Sequence, residues 1–417
     1  MVERPALALL VAVGLAACRP GEVARSVPAA RPLPAGGRAP AVRVGIAVDT
    51  TAVTVSAATP FEITPAGGET VTSDADRTWT FAAVDGRITG TSSAQSIAAT
   101  SIYVRAAGGS VRIGQSEYRG DATLIASAAG ITAINVVDLE DYLLGVVARE
   151  IGNRPGTEIE AVKAQAVAAR TYAIGNRGGR SSLGFDYYGG TLDQVYGGVV
   201  AEDSIASFAV RQTRGEIVTY RGLPILAYYS STCGGRTAAI EESWPWRTPL
   251  PYLKSVSDRI PGTDDYYCSM SNRFRWSTTW TRAQLLETLG ATLRSYIAAA
   301  SVPVRRVEGA RIESTSESGR ATVRLDVDGR IVILRADSVR WILRTPAGSL
   351  LNSSRIEALD ATTATDGAID SLTIHGGGWG HGIGMCQVGA IGRARAGQRY
   401  DTILHTYYPG TGITRLY

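Results

Sequence analysis

An α+β fold is predicted by three features of this 417-residue chain. Short runs of alternating apolar and polar residues fill the region from Val42 to Ala129. Two capped stretches of helical periodicity follow, between Asp138 and Ala173. A segment crowded with glycine lies near the end. The 47 glycines and 5 phenylalanines argue for short strands, turns and backbone-lined sites rather than a helical bundle.

Taken in order, Pro5 to Ala17 is apolar but too short to cross a bilayer, and it ends in Leu15-Ala16-Ala17-Cys18. Residues 1–17 read as an export signal. The ending resembles a bacterial lipobox, which implies lipidation of Cys18. An ordinary cleaved signal is the alternative. Residues 18–41 form a tether rich in Pro, Ala, Gly and Arg with no hydrophobic period. In the strand-rich lobe, 42–129, Val42 to Ile46, Thr51 to Val55 and Ser110 to Ile113 alternate cleanly.

Asp138 suits the cap of a first helix that carries Leu139, Leu143, Val146 and Val147 on one face and ends near Glu150. Gly152, Asn153 and Pro155 break it. Thr157 and Glu160 have capping-box spacing for a second helix, with Ile159, Val162, Ala166, Ala169 and Ala173 as a narrow small-residue stripe. Strands are expected at Glu216–Thr219 and Pro224–Tyr229, a helix at Thr281–Leu289, and a hairpin over Ala321–Leu334 turning at Asp328-Gly329. Thr373 to Ala390 holds seven glycines and reads as an ordered loop with unusual backbone angles.

The composition excludes some functions. Hydrophobic residues at 45% and charged residues at 19% are ordinary for a globular protein, and the net charge of +4 is spread over isolated arginines. No basic run tracks a nucleic-acid backbone, so nucleic acid is not an expected partner. A mildly basic protein would still associate with an anionic wall polymer.

The motif pair Leu139-Glu140-Asp141-Tyr142-Leu143-Leu144-Gly145-Val146-Val147-Ala148-Arg149-Glu150 and Ala161-Val162-Lys163-Ala164-Gln165-Ala166-Val167-Ala168-Ala169-Arg170-Thr171-Tyr172-Ala173 resembles the SpoIID/LytB domain family. Later stretches agree in the same order: Gln194 to Gly198, Tyr229 to Thr237, Pro251-Tyr252-Leu253, His375 to Ala390 and Tyr407 to Thr411. The resemblance implies a SpoIID-like catalytic domain over 130–417, with an inserted α/β segment at about 270–370. It also implies lytic transglycosylase activity on peptidoglycan, best known for peptide-stripped strands. Some members are described as modifiers of amidases, so an amidase is an alternative partner. With a lipidated Cys18 the protein would sit in the cell envelope, facing the periplasm or wall. Arg19 after Cys18 leans towards an outer membrane.

Under the resemblance Glu150 is the catalytic acid/base. Cleavage of a β-1,4 glycosidic bond needs an acid that is protonated near neutral pH. One carboxylate suffices when the sugar's own 6-hydroxyl replaces water, unlike the two-carboxylate hydrolase pattern. Position alone would favour a solvated glutamate at a helix end. Glu140, Glu158 and Glu160 read as structural, at helix N-termini. His375, His381 and Gln387 are candidates for sugar binding or for positioning Glu150, against bonding the loop's own carbonyls. Tyr196, Tyr229 and Trp379 suit stacking on sugar faces, against buried packing. Arg170, in the second motif, joins this substrate-binding set.

Cys233, Cys268 and Cys386 remain. An oxidising compartment favours a disulfide, and Cys233–Cys268 closes a loop of moderate length. No cofactor is then expected. The rival is zinc, held by two of these cysteines with His375 or His381, or by Cys233, Cys268 and Cys386 with His381, although no Cys-x-x-Cys spacing supports it.

Overall fold

The computed structural model describes residues 37–127, 129–296 and 303–417. The signal segment, Cys18 and most of the tether lie outside the described residues. The fold is mixed α+β, with eight helices among those described.

Two antiparallel-rich sheets face each other at the start of the chain. One has seven strands, in the order Tyr187–Tyr188, Ala41–Thr50, Gly130–Asp138, Asp121–Ser127, Ser101–Ala106, Phe61–Pro65 and Val71–Ser73. The other has six, running from Ser116–Arg119 through Ser110–Ile113, Ala52–Ser56, Trp79–Val84 and Arg87–Thr91 to Ser96–Ala99. Alternation decides which side chains face inward: Val42, Val44, Phe61, Ile63, Trp79, Phe81 and Ile88 are buried in one core. The strand Gly130–Asp138 is buried along most of its length and lies inside the sheet, pairing with Ala41–Thr50 on one edge and Asp121–Ser127 on the other.

That strand runs without a break into helix α1 (Leu139–Ile151), capped by Asp138, whose carboxylate accepts the Glu140 N–H at 2.8 Å. Helix α2 (Ile159–Asn176) follows a short 3-10 turn. The capping box expected at Thr157 and Glu160 does not form. Glu160 instead accepts the Tyr400 N–H at 2.9 Å and pairs with Lys163 at 2.8 Å. The small-residue stripe also proves wider than expected. Ala161, Val162, Ala164, Ala166, Val167, Ala168 and Ala169 are all buried, because other helices surround α2 on most of its faces.

Helix α3 (Ser204–Gln212) and the strand Glu216–Tyr220 pack on α2. The strand expected over Pro224–Tyr229 survives only as two short pieces, Leu223–Pro224 and Tyr229–Ser230. The chain then forms the short α4 (Ile240–Ser243).

A second hydrophobic cluster joins Trp280, Leu289, Val323, Leu325, Leu334, Val339, Leu372 and Ile374. Its elements are two three-stranded sheets, helix α5 (Arg282–Tyr296) and helix α6 (Ser338–Ile342). The hairpin turns at Asp328 and Gly329 as expected, both with positive φ (48° and 70°). The glycine-rich segment begins later than expected. Ile369–Gly377 is the central strand of a sheet, and only Gly378 to Gly384 is loop.

The chain closes with helix α7 (Gln387–Arg395), helix α8 (Tyr400–Tyr407) and the strand Gly412–Arg415, which pairs with Glu216–Tyr220. Both α7 and α8 pack on α2.

Arg170 of α2 is fully buried and grips Glu140 of α1 through Nε and Nη2, each at 2.8 Å. Its remaining donors reach the carbonyls of Val210 and Glu216. Glu140 also accepts from the Tyr417 hydroxyl at 2.6 Å and from the Gly215 N–H at 3.3 Å. This pair is saturated and out of reach of any ligand, so Arg170 does not serve substrate binding. It ties α1, α2, α3 and the C-terminus together. Removing one partner strands the other charge in the core. Arg170→Ala is expected to lose about 3–5 kcal/mol in denaturant unfolding, whereas Glu140→Leu with Arg170→Met should recover much of that loss.

Candidate functional site

Glu150 sits in the last turn of α1, one residue before its end, where Gly152 (φ 76°) turns the chain away. The apolar face of α1 is buried, so the helix end is driven into the protein rather than into solvent. The Glu150 carboxylate accepts the Val195 N–H at 2.7 Å. Val195 is aimed by its neighbour Gln194, which is fully buried and fully used. The Gln194 amide donates to the Tyr229 hydroxyl (2.8 Å) and the Ala169 carbonyl (3.3 Å), and accepts from the Tyr142 hydroxyl (3.2 Å).

Tyr142, Gln194 and Tyr229 thus build the floor behind the carboxylate. Burial there pushes the Glu150 carboxyl up from an ordinary 4.5 to about 7, against the opposing pull of the Val195 N–H and the Gln387 amide. Near neutral pH both protonation states are populated, the condition for giving and then recovering a proton.

The carboxylate opens onto a cleft of about 580 Å³. Arg154, Arg273 and Arg395 give its walls positive charge, and Ser231, Ser271, Asn272 and Gln387 give them hydrogen-bonding groups. Among the described residues, Glu150 is the one carboxylate lining it. Arg395 is braced by buried Glu158 at 2.6 Å. Gln387, the first residue of α7, donates to Gln165 of α2 at 3.2 Å.

Of the candidates read from sequence, Glu150 and Gln387 meet in this cleft. Tyr229 lies behind Glu150 as part of its support. Trp379 does not line the cleft, but its ring lies beneath the guanidinium of Arg273, which does. Tyr196 is not available to a sugar: it is buried against Tyr118 and Tyr142, and its hydroxyl donates to Asn135 at 2.9 Å.

His375 faces outward on the strand Ile369–Gly377 and pairs with Asp360 at 3.1 Å, outside the cleft. His381 is also outside it. Its ring lies 5.1 Å from that of Trp244 and 6.1 Å from that of Tyr228, and its Nδ1 accepts the Ile383 N–H at 3.0 Å. Burial lowers this imidazole to about 4, so it is neutral at pH 7. The glycine loop therefore shapes the protein around the cleft without supplying histidines to it. At Gly384 (φ 70°) any Cβ would strike the Tyr228 carbonyl, which is why glycine stands there.

Sequence reasoning missed Arg154, Arg273, Arg395, the Val195 N–H and the Gln194 brace. The signal for Gln194 was present, within a motif already singled out. The arginines had no spacing to betray them, because separate parts of the chain deliver them.

The cysteines also differ from expectation. Cys233 and Cys268 are not bonded: both are buried free thiols, with sulfurs 3.5 Å apart. Cys386, left over in the sequence reading, completes a trio with them. Asp258, rather than a histidine, is the fourth member.

A family model described as Stage II sporulation protein (SpoIID) matches residues 127–220, which hold α1, α2, Glu150, Gln194 and Val195. An uncharacterised protein of Brachyspira hyodysenteriae is 33% identical over 298 residues, 71% of this chain and 72% of that protein. Stage II sporulation protein D of Bacillus subtilis is 28% identical over 319 residues, 71% of this chain and 82% of its own length. The chain belongs to the SpoIID family. The Amidase enhancer of B. subtilis is 32% identical over 305 residues, 65% of this SpoIID chain, although the match spans only 40% of that protein. A second model, a domain of unknown function (DUF8618), matches residues 254–384, the region of the second hydrophobic cluster.

The raised carboxyl has a thermodynamic signature. A group that binds its proton more tightly when folded lowers stability as pH rises from its unfolded value to its folded one. Between 4.5 and about 7 the loss is at most about 3 kcal/mol, at 1.36 kcal/mol per pH unit. Glu150→Gln should therefore unfold at higher denaturant than wild type at pH 8, with the gap closing by pH 4.5. A gap that does not change with pH would show that burial does not hold this carboxyl up.

Proposed function

We propose that this protein is a cell-envelope lytic transglycosylase that cleaves peptidoglycan glycan strands, with Glu150 as its single acid/base. The observation that carries this reading is a lone carboxylate on a cationic cleft, raised by burial to about 7. Protonated Glu150 gives its proton to the glycosidic oxygen between MurNAc and GlcNAc as the C1–O bond breaks and positive charge develops at C1. The muramic 6-hydroxyl then attacks C1, and its proton returns to the Glu150 carboxylate. The product is a 1,6-anhydro end, the water count is zero, and the enzyme is restored. A hydrolase would need a second carboxylate to activate water or trap C1.

Arg154, Arg273 and Arg395 suit a polymer with lactyl carboxylates, and strands stripped of their peptides are the class we favour. Trp379 under Arg273 and Gln387 beside Glu150 are the sugar-contacting groups of this reading. In the same reading, lipidated Cys18 holds the protein to a membrane of the envelope. A second reading rests on the likeness to the Amidase enhancer: the same cleft binds glycan and stimulates an amidase without cutting.

Purified protein should release 1,6-anhydro muramic ends from amidase-treated peptidoglycan, read by mass spectrometry. Glu150→Gln should cut this substrate about a hundredfold more slowly or worse and still pellet with it. Since the acid form is needed first, kcat/KM should fall as pH rises through about 7. Equal cleavage by both proteins would remove Glu150 from the chemistry. No cleavage by either, with stimulation of an amidase by both, would replace the enzyme by the accessory protein.

A further inference from the structure

Cys233, Asp258, Cys268 and Cys386 are all buried, and one ligand atom from each lies within 4.8 Å of all the others. Three separate stretches of chain converge to make this cluster, and the chemistry proposed for Glu150 uses none of it. We propose that these four residues form a tetrahedral zinc site that pins one wall of the Glu150 cleft.

The spacing favours an ion over a bridge. The Cys233 and Cys268 sulfurs are 3.5 Å apart, and the Cys233 sulfur is 3.8 Å from Asp258 Oδ2. A tetrahedron with metal–sulfur bonds of about 2.3 Å and a metal–oxygen bond of about 2.0–2.2 Å has edges of roughly 3.5–3.8 Å. A disulfide would draw two sulfurs to about 2.05 Å and abandon the third thiol beside a buried carboxylate.

The surroundings are those of a held ligand set. Cys386 Sγ accepts the N–H groups of Cys233 (3.2 Å) and Gly389 (3.3 Å), and it caps the N-terminus of α7, where a thiolate is favoured. Asp258 Oδ1 is engaged by the Tyr407 hydroxyl at 2.7 Å and by Arg393 at 3.2 Å, which leaves Oδ2 facing the sulfurs. Charge points the same way. Arg320 is buried, its guanidinium has no hydrogen-bond acceptor among the described residues, and its positive charge acts on Cys233 as well as on Asp337. Three thiolates, one carboxylate and Zn²⁺ sum to −2, which offsets such a cation. Without a metal the cluster buries three thiols against a carboxylate, and Asp337 is left as the main counter-charge to Arg320.

The position assigns the role. Cys233 follows Ser231 by two residues, Cys268 precedes Met270 by two, and Cys386 directly precedes Gln387. Ser231, Met270 and Gln387 all line the cleft. The four ligands fill a tetrahedral shell, so the ion has no open position for water and its work is structural.

The test uses the full chain, reduced and reconstituted with zinc sulfate, then dialysed. About one zinc per chain should remain by plasma mass spectrometry, and cobalt in its place should show thiolate charge-transfer absorption with tetrahedral ligand-field bands. Cys268→Ser should lower the charge-transfer intensity by about a third, from three thiolates to two. Asp258→Asn should keep that absorption and weaken metal affinity by about tenfold or more. On chelation, hydrogen exchange should rise together at residues 229–235, 266–273 and 384–389. Retention of no metal, or metal without the sulfur absorption, overturns the site. So does a Cys233–Cys268 disulfide in protein isolated without reductant that persists alongside full cleft order. If Cys268→Ser fails to fold, the wild-type cobalt spectrum decides by itself. Loss of zinc binding leaves the Glu150 reading intact, since that reading is tested on the product sugars.

Discussion

Helix α2 is enclosed by neighbours, and the geometry of the cleft follows from that enclosure. Its run of alanines and valines lets α1, α3, α7 and α8 approach closely, and the polar groups it buries had to find partners in those helices. Arg170 finds Glu140 and so fixes how α1 lies on α2. Gln165 receives the Gln387 amide and so fixes where α7 begins. Glu150 stands at the end of α1 and Gln387 at the start of α7. Their meeting is set by two buried polar contacts on a third helix. A bulkier or more polar α2 would move both.

Burying a carboxylate costs energy, and the floor of the cleft shows how that cost is contained. Glu150 keeps one strong hydrogen bond, from the Val195 N–H, and gains little else. The tyrosines beside it spend their hydroxyls on Gln194 rather than on Glu150. The carboxyl is therefore held in place with too little support as an anion to offset its burial. Burial outweighs the hydrogen bond that positions it, which allows a well-ordered acid that still exchanges its proton near pH 7. Glu140, thirty residues before Arg170, shows the opposite solution. There, a bidentate arginine, a tyrosine hydroxyl and a backbone N–H satisfy the charge fully and hold its carboxyl below the usual range despite burial. Two glutamates on one helix thus meet opposite fates through their partners.

The region between Arg275 and Gly377 carries its own hydrophobic cluster, yet its ends enter and leave beside the cleft. The segment that precedes it supplies Cys268, Met270, Asn272 and Arg273. The strand that closes it delivers the chain into Gly378 and Trp379. Because the lobe is anchored at both ends next to the site, its packing bears on the cleft without donating a catalytic group. The cysteine and aspartate cluster lies at the same junction, where three chain segments of different origin must be held in register.

Much of this was legible in the order of residues. Strand alternation, the Asp138 cap, the break at Gly152 and the turn at Asp328-Gly329 are local, and local sterics decide them. The motif around Glu150 marked the carboxylate. Local patterns could not tell which polar side chains would be buried together. Arg170 and Tyr196 looked like ligand-binding residues because they are polar and lie in the motifs, yet each is saturated inside the core. His375 and His381 looked like site residues because they flank glycines, yet they face Asp360 and Trp244. Cys386 looked surplus, although it lies with Cys233 and Cys268. The sequence by itself determined α1, α2, α5, the hairpin at Asp328-Gly329 and the candidate carboxylate. The tertiary structure alone decided the arginines of the cleft, the pKa of Glu150 and the cysteine cluster. Those depend on distances between residues tens to hundreds of positions apart, and burial and electrostatics act through space rather than along the chain.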